Sequence, residues 1–177
     1  EGGTVDKYVG DAIVAFWNAP MSQPDHAERA VRAALRCQAA LAASAERFAA
    51  LGAAVPATRI GVHTGRAIVG NMGSPSRFNY TALGDVVNTA SRLEEANKAT
   101  GTSILVSGET VRACGEANPA AGAPMPAPRS APLAFRRLGE LSVRNRLAPV
   151  EVWEPRLASG EPSPAKAWEG ILDCRRL

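Results

Sequence analysis

Asn88 and Arg92 stand four residues apart in the stretch YTALGDVVNTASRLEEANK, residues 80–98. On a helix, positions i and i+4 share a face, so this amide and guanidinium converge on one spot. An amide can orient a hydroxyl. A planar guanidinium fork suits a phosphoryl group that gains charge in a transition state. Asp11, in a Gly10-Asp11 turn, offers hard carboxylate oxygens of the kind that hold Mg²⁺. Lys7, four residues earlier, carries an ammonium that donates hydrogen bonds and accepts none. Arg144 and Arg146 flank Asn145 at what reads as a strand end, and two guanidiniums there suit a triphosphate. Each feature also has a plainer reading: an ordinary Gly-Asp turn, a solvated strand lysine, a polar helix face, a basic hairpin tip. His26 and His63 are isolated, and neither is expected to serve as ligand or base.

These residues need elements to hold them. Val86, Val87, Ala90, Leu93 and Ala96 recur at roughly helical spacing, which predicts a helix over 85–99 with one buried face. TVDKYVGDAIVAFW (4–17) places two β-rich runs around Val9-Gly10-Asp11 and reads as a hairpin. Residues 18–25 are a loop, and Asp25 is placed to cap a long Ala/Leu-rich helix over 26–51. ATRIGVHTGRAIVGNMG (57–73) predicts strands at 58–63 and 67–71 joined by a tight turn through Thr64-Gly65. TSILVSGETVRACG (102–115) predicts a strand, a Ser107 cap and a short helix. Two further strands are expected within 135–155, around the basic turn. Residues 116–134 are Ala/Pro-rich and aperiodic, an insertion loop. Residues 156–177 read as a linker ending in a short helix, or the start of a further region. The mixture of hairpins and helices favours an α+β sandwich, a mostly antiparallel sheet with helices on one side, over a doubly wound parallel fold.

With 177 residues there is material for one domain, 1–155, and a tail. The formal net charge of +3 slightly favours an anionic ligand and is no nucleic-acid signature. Phe and Tyr are too sparse to form a base-stacking sheet face, which argues against a nucleic-acid-binding domain. Cys37, Cys114 and Cys174 are scattered and odd in number, so reduced thiols are expected rather than a disulfide framework or zinc site. No apolar stretch is long enough to span a bilayer, and no signal peptide is visible; a cytoplasmic location is expected, tethered if at all through regions outside this chain. GxxxxGK[ST], GxGxxG and HExxH are all absent.

Taken in order, DKYVGDAIVAFW, IGVHTGRAIVGNMG and YTALGDVVNTASRLE resemble the catalytic domain of class III nucleotidyl cyclases, of the bacterial adenylate cyclase type. The resemblance runs over about 1–155 and weakens across 116–134. It implies a ferredoxin-like fold and conversion of ATP to 3′,5′-cyclic AMP and pyrophosphate in intracellular signal transduction. It makes Asp11 a metal ligand, with Mg²⁺ or Mn²⁺ as two ions in the complete site. Lys7 and Thr81 become the base-reading pair. Asn88 and Arg92 orient the ribose and stabilise the transferring phosphorus. Arg144 and Arg146 stand where the family carries a Lys-Gly-Lys turn, one lysine of which holds the terminal phosphates. Adenine presents N1 as acceptor and N6 as donor, which Lys7 and the Thr81 hydroxyl match; guanine reverses that edge. ATP is therefore the expected substrate.

The resemblance also implies a head-to-tail homodimer, with the metal aspartates from one protomer and the base-reading pair, Asn88 and Arg92 from the other. The family's first strand, with its own metal aspartate, and the helices that follow it have no counterpart before Glu1. The sequence starts as if cut from something longer, and this chain alone is expected to be inactive and poorly stable. The rival expectation is a non-catalytic cyclase-like module that dimerises and passes a signal.

Overall fold

The computed structural model describes residues 1–74, 76–116, 131–142, 148–158 and 171–173. Strands β1 (Thr4–Val9) and β2 (Ala12–Phe16) form the expected antiparallel hairpin. Gly10 takes φ 62° at the first turn position, the glycine-first pattern of a type II′ hairpin. Helix α1 (His26–Ala43) follows, then a separate short α2 (Ala45–Ala50). The single helix expected over 26–51 breaks at Ser44, whose hydroxyl donates to the Ala40 carbonyl at 2.9 Å and competes with the helical ladder. Asp25 occupies the cap position, but its carboxylate accepts from Arg29 Nε at 2.7 Å instead of capping the backbone.

Next come β3 (Ile60–Val62), β4 (Ile68–Ser74), β5 (Arg77–Leu83) and α3 (Asp85–Thr100). The chain continues through β6 (Ile104–Ser107), α4 (Gly108–Glu116), β7 (Leu133–Ser142), β8 (Val150–Leu157) and β9 (Ile171–Asp173). Ser107 caps α4 as expected, its hydroxyl accepting from the Thr110 amide at 3.2 Å. β9 stands where a short terminal helix was expected.

The main sheet runs β3-β6-β8-β7-β9, and β1-β2 and β4-β5 are two-stranded ribbons. Two of the predicted strands pair differently from expectation. β3 and β4 are not partners: β3 runs parallel to β6, and β4 pairs with β5 from Ile68↔Leu83 to Ser74↔Arg77. Four of the six pairings among the described residues are antiparallel, so the mostly antiparallel α+β class holds.

The helices, expected on one side, cover both faces of the main sheet. Leu105 and Val152 pack with Leu93 and Ala96 of α3. Their chain neighbours Ile104, Val106 and Trp153 pack with Val31 and Ala34 of α1 and Val111 of α4. Successive strand residues point to opposite faces, so neighbours in two cores require a covered sheet on each side. β6 is accordingly buried at every position, and its unbroken Ile-Leu-Val run is the pattern of a strand shielded twice. On the α1 side Cys114 is packed so that burial pushes its thiol up to about 11, a neutral and inert group; Cys37 is exposed.

Gly61 sets how closely α3 lies on β3. A Cβ there would run into the Ala90 carbonyl and the Glu94 amide, both helix backbone. Gly61→Ala is expected to cost about 1–3 kcal/mol or more, as overpacking does when the obstacle is backbone. A urea melt checks it, with a lowered midpoint and an unchanged slope expected. At the other end of the helix, buried Asn97 donates to the Ile60, Leu93 and Glu94 carbonyls and accepts from Thr102 at 2.7 Å. α3 is thus fixed to the sheet at both its middle and its end.

Candidate active site

Along β1 the register with β2 slips between Val5↔Ala15 and Lys7↔Val14, leaving Asp6 as an extra residue. In an unbroken strand Asp6 and Lys7 would face opposite sides of the ribbon. The bulge re-aims them, and both reach the same residue of β5. Lys7 Nζ donates to Thr81 Oγ1 at 2.9 Å, and Thr81 Oγ1 donates to Asp6 Oδ2 at 2.8 Å. The Ala82 amide points at the same carboxylate oxygen from 3.4 Å, and Lys7 Nζ lies 3.5 Å from it. The Asp6 side chain is 1% exposed and that of Lys7 44% exposed, so the carboxylate lies beneath and the ammonium at the rim. Phe16 and Tyr80, with ring centroids 5.9 Å apart, hold β2 against β5 beside this cluster.

Lys7 and Thr81, which the sequence places 74 residues apart, therefore meet directly. Asp6 is not among the residues that the sequence singled out. Its signal was two adjacent charged residues, Asp6-Lys7, inside a strand whose other members are Thr, Val and Tyr.

β5 leads through Leu83-Gly84 straight into α3, so Asn88 sits one turn into that helix, seven residues beyond Thr81. Its side chain is exposed, while Thr89, Leu93, Ala96, Asn97 and Thr100 form the buried face. Arg92, with a side chain 43% exposed, donates to Glu95 at 2.8 Å. Asp11 is exposed at the hairpin turn, and no hydrogen bond or ion pair engages it among the described residues. Arg144 and Arg146 lie outside the described residues. The His63 side chain is buried, with Nδ1 hydrogen-bonded to Ser107 Oγ at 2.8 Å.

Among the described residues no group of three or more His, Cys, Asp or Glu gathers to hold a metal ion. Asp11 by itself has the right chemistry for one contact. Mg²⁺ takes one or two carboxylates and completes its shell with water and phosphate oxygens. No described helix is long and apolar enough to cross a membrane.

Comparison with known families places the chain in the class III nucleotidyl cyclases. Residues 5–123 match the adenylate and guanylate cyclase catalytic domain, and the chain belongs to that family. It is 39% identical over 152 residues to adenylate cyclase 1 of Rhizobium meliloti, covering 86% of this chain and 21% of that protein. The adenylyl cyclase CyaB from P. aeruginosa superposes with a TM-score of 0.70 at 30% identity, over 88% of this chain and 72% of that one. The guanylyl cyclase Cya2 does so with a TM-score of 0.66 at 31% identity, over 94% and 75%. The chain spans about a fifth of the length of its Rhizobium relative.

Proposed function

We propose that this chain is an adenylate cyclase catalytic domain, which converts ATP to 3′,5′-cyclic AMP and pyrophosphate and so feeds intracellular signalling. Structural likeness alone does not choose the base, since adenylyl and guanylyl cyclases both resemble it. The observation that carries the choice is the Lys7–Thr81 contact. Lys7 keeps N–H donors for the N1 acceptor of adenine, and Thr81 offers an oxygen to the N6 amino group. Guanine would set its N1–H against the ammonium and its O6 against the hydroxyl oxygen.

In this reading the ribose 3′-hydroxyl attacks the α-phosphorus in line with the departing pyrophosphate. Asn88 hydrogen-bonds the ribose and holds the 3′-oxygen in line. Arg92 sets its guanidinium against the charge that builds on the phosphoryl oxygens. Arg144 and Arg146 are proposed to hold the terminal phosphates. Asp11 is the residue that would hold a divalent ion, Mg²⁺ or Mn²⁺, which when bound neutralises phosphate charge and eases loss of the hydroxyl proton.

The active unit is proposed to be a head-to-tail homodimer. Both ribbons carry exposed apolar pairs that a second copy would cover: Tyr8 opposite Ile13, and Ile68 opposite Leu83.

The test is turnover by the full-length protein with Mg²⁺ or Mn²⁺, measuring cyclic nucleotide and pyrophosphate from ATP and from GTP. ATP is expected to be preferred in kcat/KM by about tenfold or more, because a reversed base edge leaves buried polar groups unpaired. Equal use of both, or a preference for GTP, overturns the adenylate reading. No turnover of either favours a non-catalytic module.

A further inference from the structure

Asp6 has no role in the chemistry described above, yet it is the most buried charged side chain of the cluster. Its Oδ2 faces three donors, Thr81, Ala82 and Lys7. Its Oδ1 is buried and has no hydrogen-bond partner among the described residues. A half-satisfied buried carboxylate is costly to a fold and calls for a reason.

The proton arrangement supplies one. A threonine hydroxyl has one proton and two lone pairs, and free to rotate it can either donate to a ligand or accept from one. An ionised carboxylate can only accept, so the 2.8 Å contact commits the Thr81 proton to Asp6. An ammonium can only donate, so the 2.9 Å contact from Lys7 uses one lone pair. These two contacts leave the hydroxyl a single unused lone pair, an acceptor.

We propose that Asp6 is a specificity-determining positioning residue: it takes the Thr81 proton and thereby makes that hydroxyl an obligate acceptor, matched to a 6-aminopurine and opposed to a 6-oxopurine. The inference rests on the adenylate cyclase reading and deepens it. Asp6 touches no substrate atom; it acts through Thr81.

The test compares kcat/KM of the full-length protein for ATP, GTP and purine riboside triphosphate, which keeps N1 and lacks the 6-amino group. Wild type is expected to prefer ATP over purine riboside triphosphate by about five- to tenfold, the worth of one hydrogen bond. Asp6→Ala is expected to bring that ratio to about twofold or less and to narrow the gap between ATP and GTP. Asp6→Asn is expected to keep both ratios, since the Ala82 amide selects the side-chain carbonyl for the shared position and the carbonyl still accepts from Thr81. Where Asp6→Ala melts below the assay temperature, Asp6→Val takes its place, because a β-branched apolar residue suits a buried strand position.

A merely structural Asp6 would lower all three substrates together and leave the ratios intact, and that result overturns the inference. Equal loss of the ratios in Asp6→Asn overturns it too, by making charge rather than hydrogen-bond direction the cause. A wild type with no preference for ATP over GTP overturns instead the reading on which it rests.

Discussion

Arg92→Ala in the full-length protein is expected to lower kcat for ATP by about 10²–10³-fold, the usual cost of removing a donor aimed at developing transition-state charge. KM should move little, because the charge Arg92 answers appears only as the reaction proceeds. A thermal melt separates this loss from a loss of fold. Arg92 lies on the partly exposed side of α3, and its ion pair with Glu95 is an i,i+3 surface pair whose partner is 54% exposed. Such pairs contribute about 0–1 kcal/mol, so the loss of this pair alone shifts the melting temperature by no more than a few degrees. Arg92→Lys keeps the charge and loses the fork, and it should recover only part of the rate. Steady-state kinetics beside a thermal melt check both. A kcat within threefold of wild type in a folded Arg92→Ala protein would remove Arg92 from the chemistry.

What the sequence made legible, and what it hid, divides along local and non-local physics. The hairpin turn could be read because Gly10-Asp11 is local turn chemistry, and α3 could be read because five apolar residues repeat at helical spacing, although only Leu93 and Ala96 of the five are fully buried. The Ser107 cap was legible for the same reason. Strand partners were not. β3 lies beside β6 only because α3 crosses between them, and β4 turns to β5 rather than back to β3. Register is set by which faces become buried, and that depends on distant chain.

Asp6 is the sharpest instance. Strict alternation assigns it to the face opposite Lys7, and one extra residue in the register reverses the assignment. Thr81 then links two charges whose adjacency in sequence looked incidental. The placement of helices on both faces was visible in principle in the Ile104-Leu105-Val106 run, because a strand with one solvent face alternates and this one does not.

The second large effect concerns where the site is assembled. Lys7 and Asp11 share one hairpin, but Lys7 turns in toward Thr81 while Asp11 sits exposed at the tip. Two ladder pairs, Tyr8↔Ile13 and Val9↔Ala12, separate them, about 7 Å of strand. A hairpin with an ammonium on its inner face and a carboxylate at its end can serve two sites at once, its own and that of a facing copy. Asp11→Ala alone should therefore abolish turnover without unfolding the chain, because nothing among the described residues depends on that side chain. Arg92→Ala alone should nearly do so. Co-expressed in equal amounts, the two variants are expected to recover about a quarter of wild-type activity: half of randomly formed dimers are mixed, and each mixed dimer rebuilds one site of two. A site formed within one chain gives the opposite result, since every site then lacks one group or the other. Turnover of the co-purified mixture, measured against each variant alone, decides between a shared site and a private one.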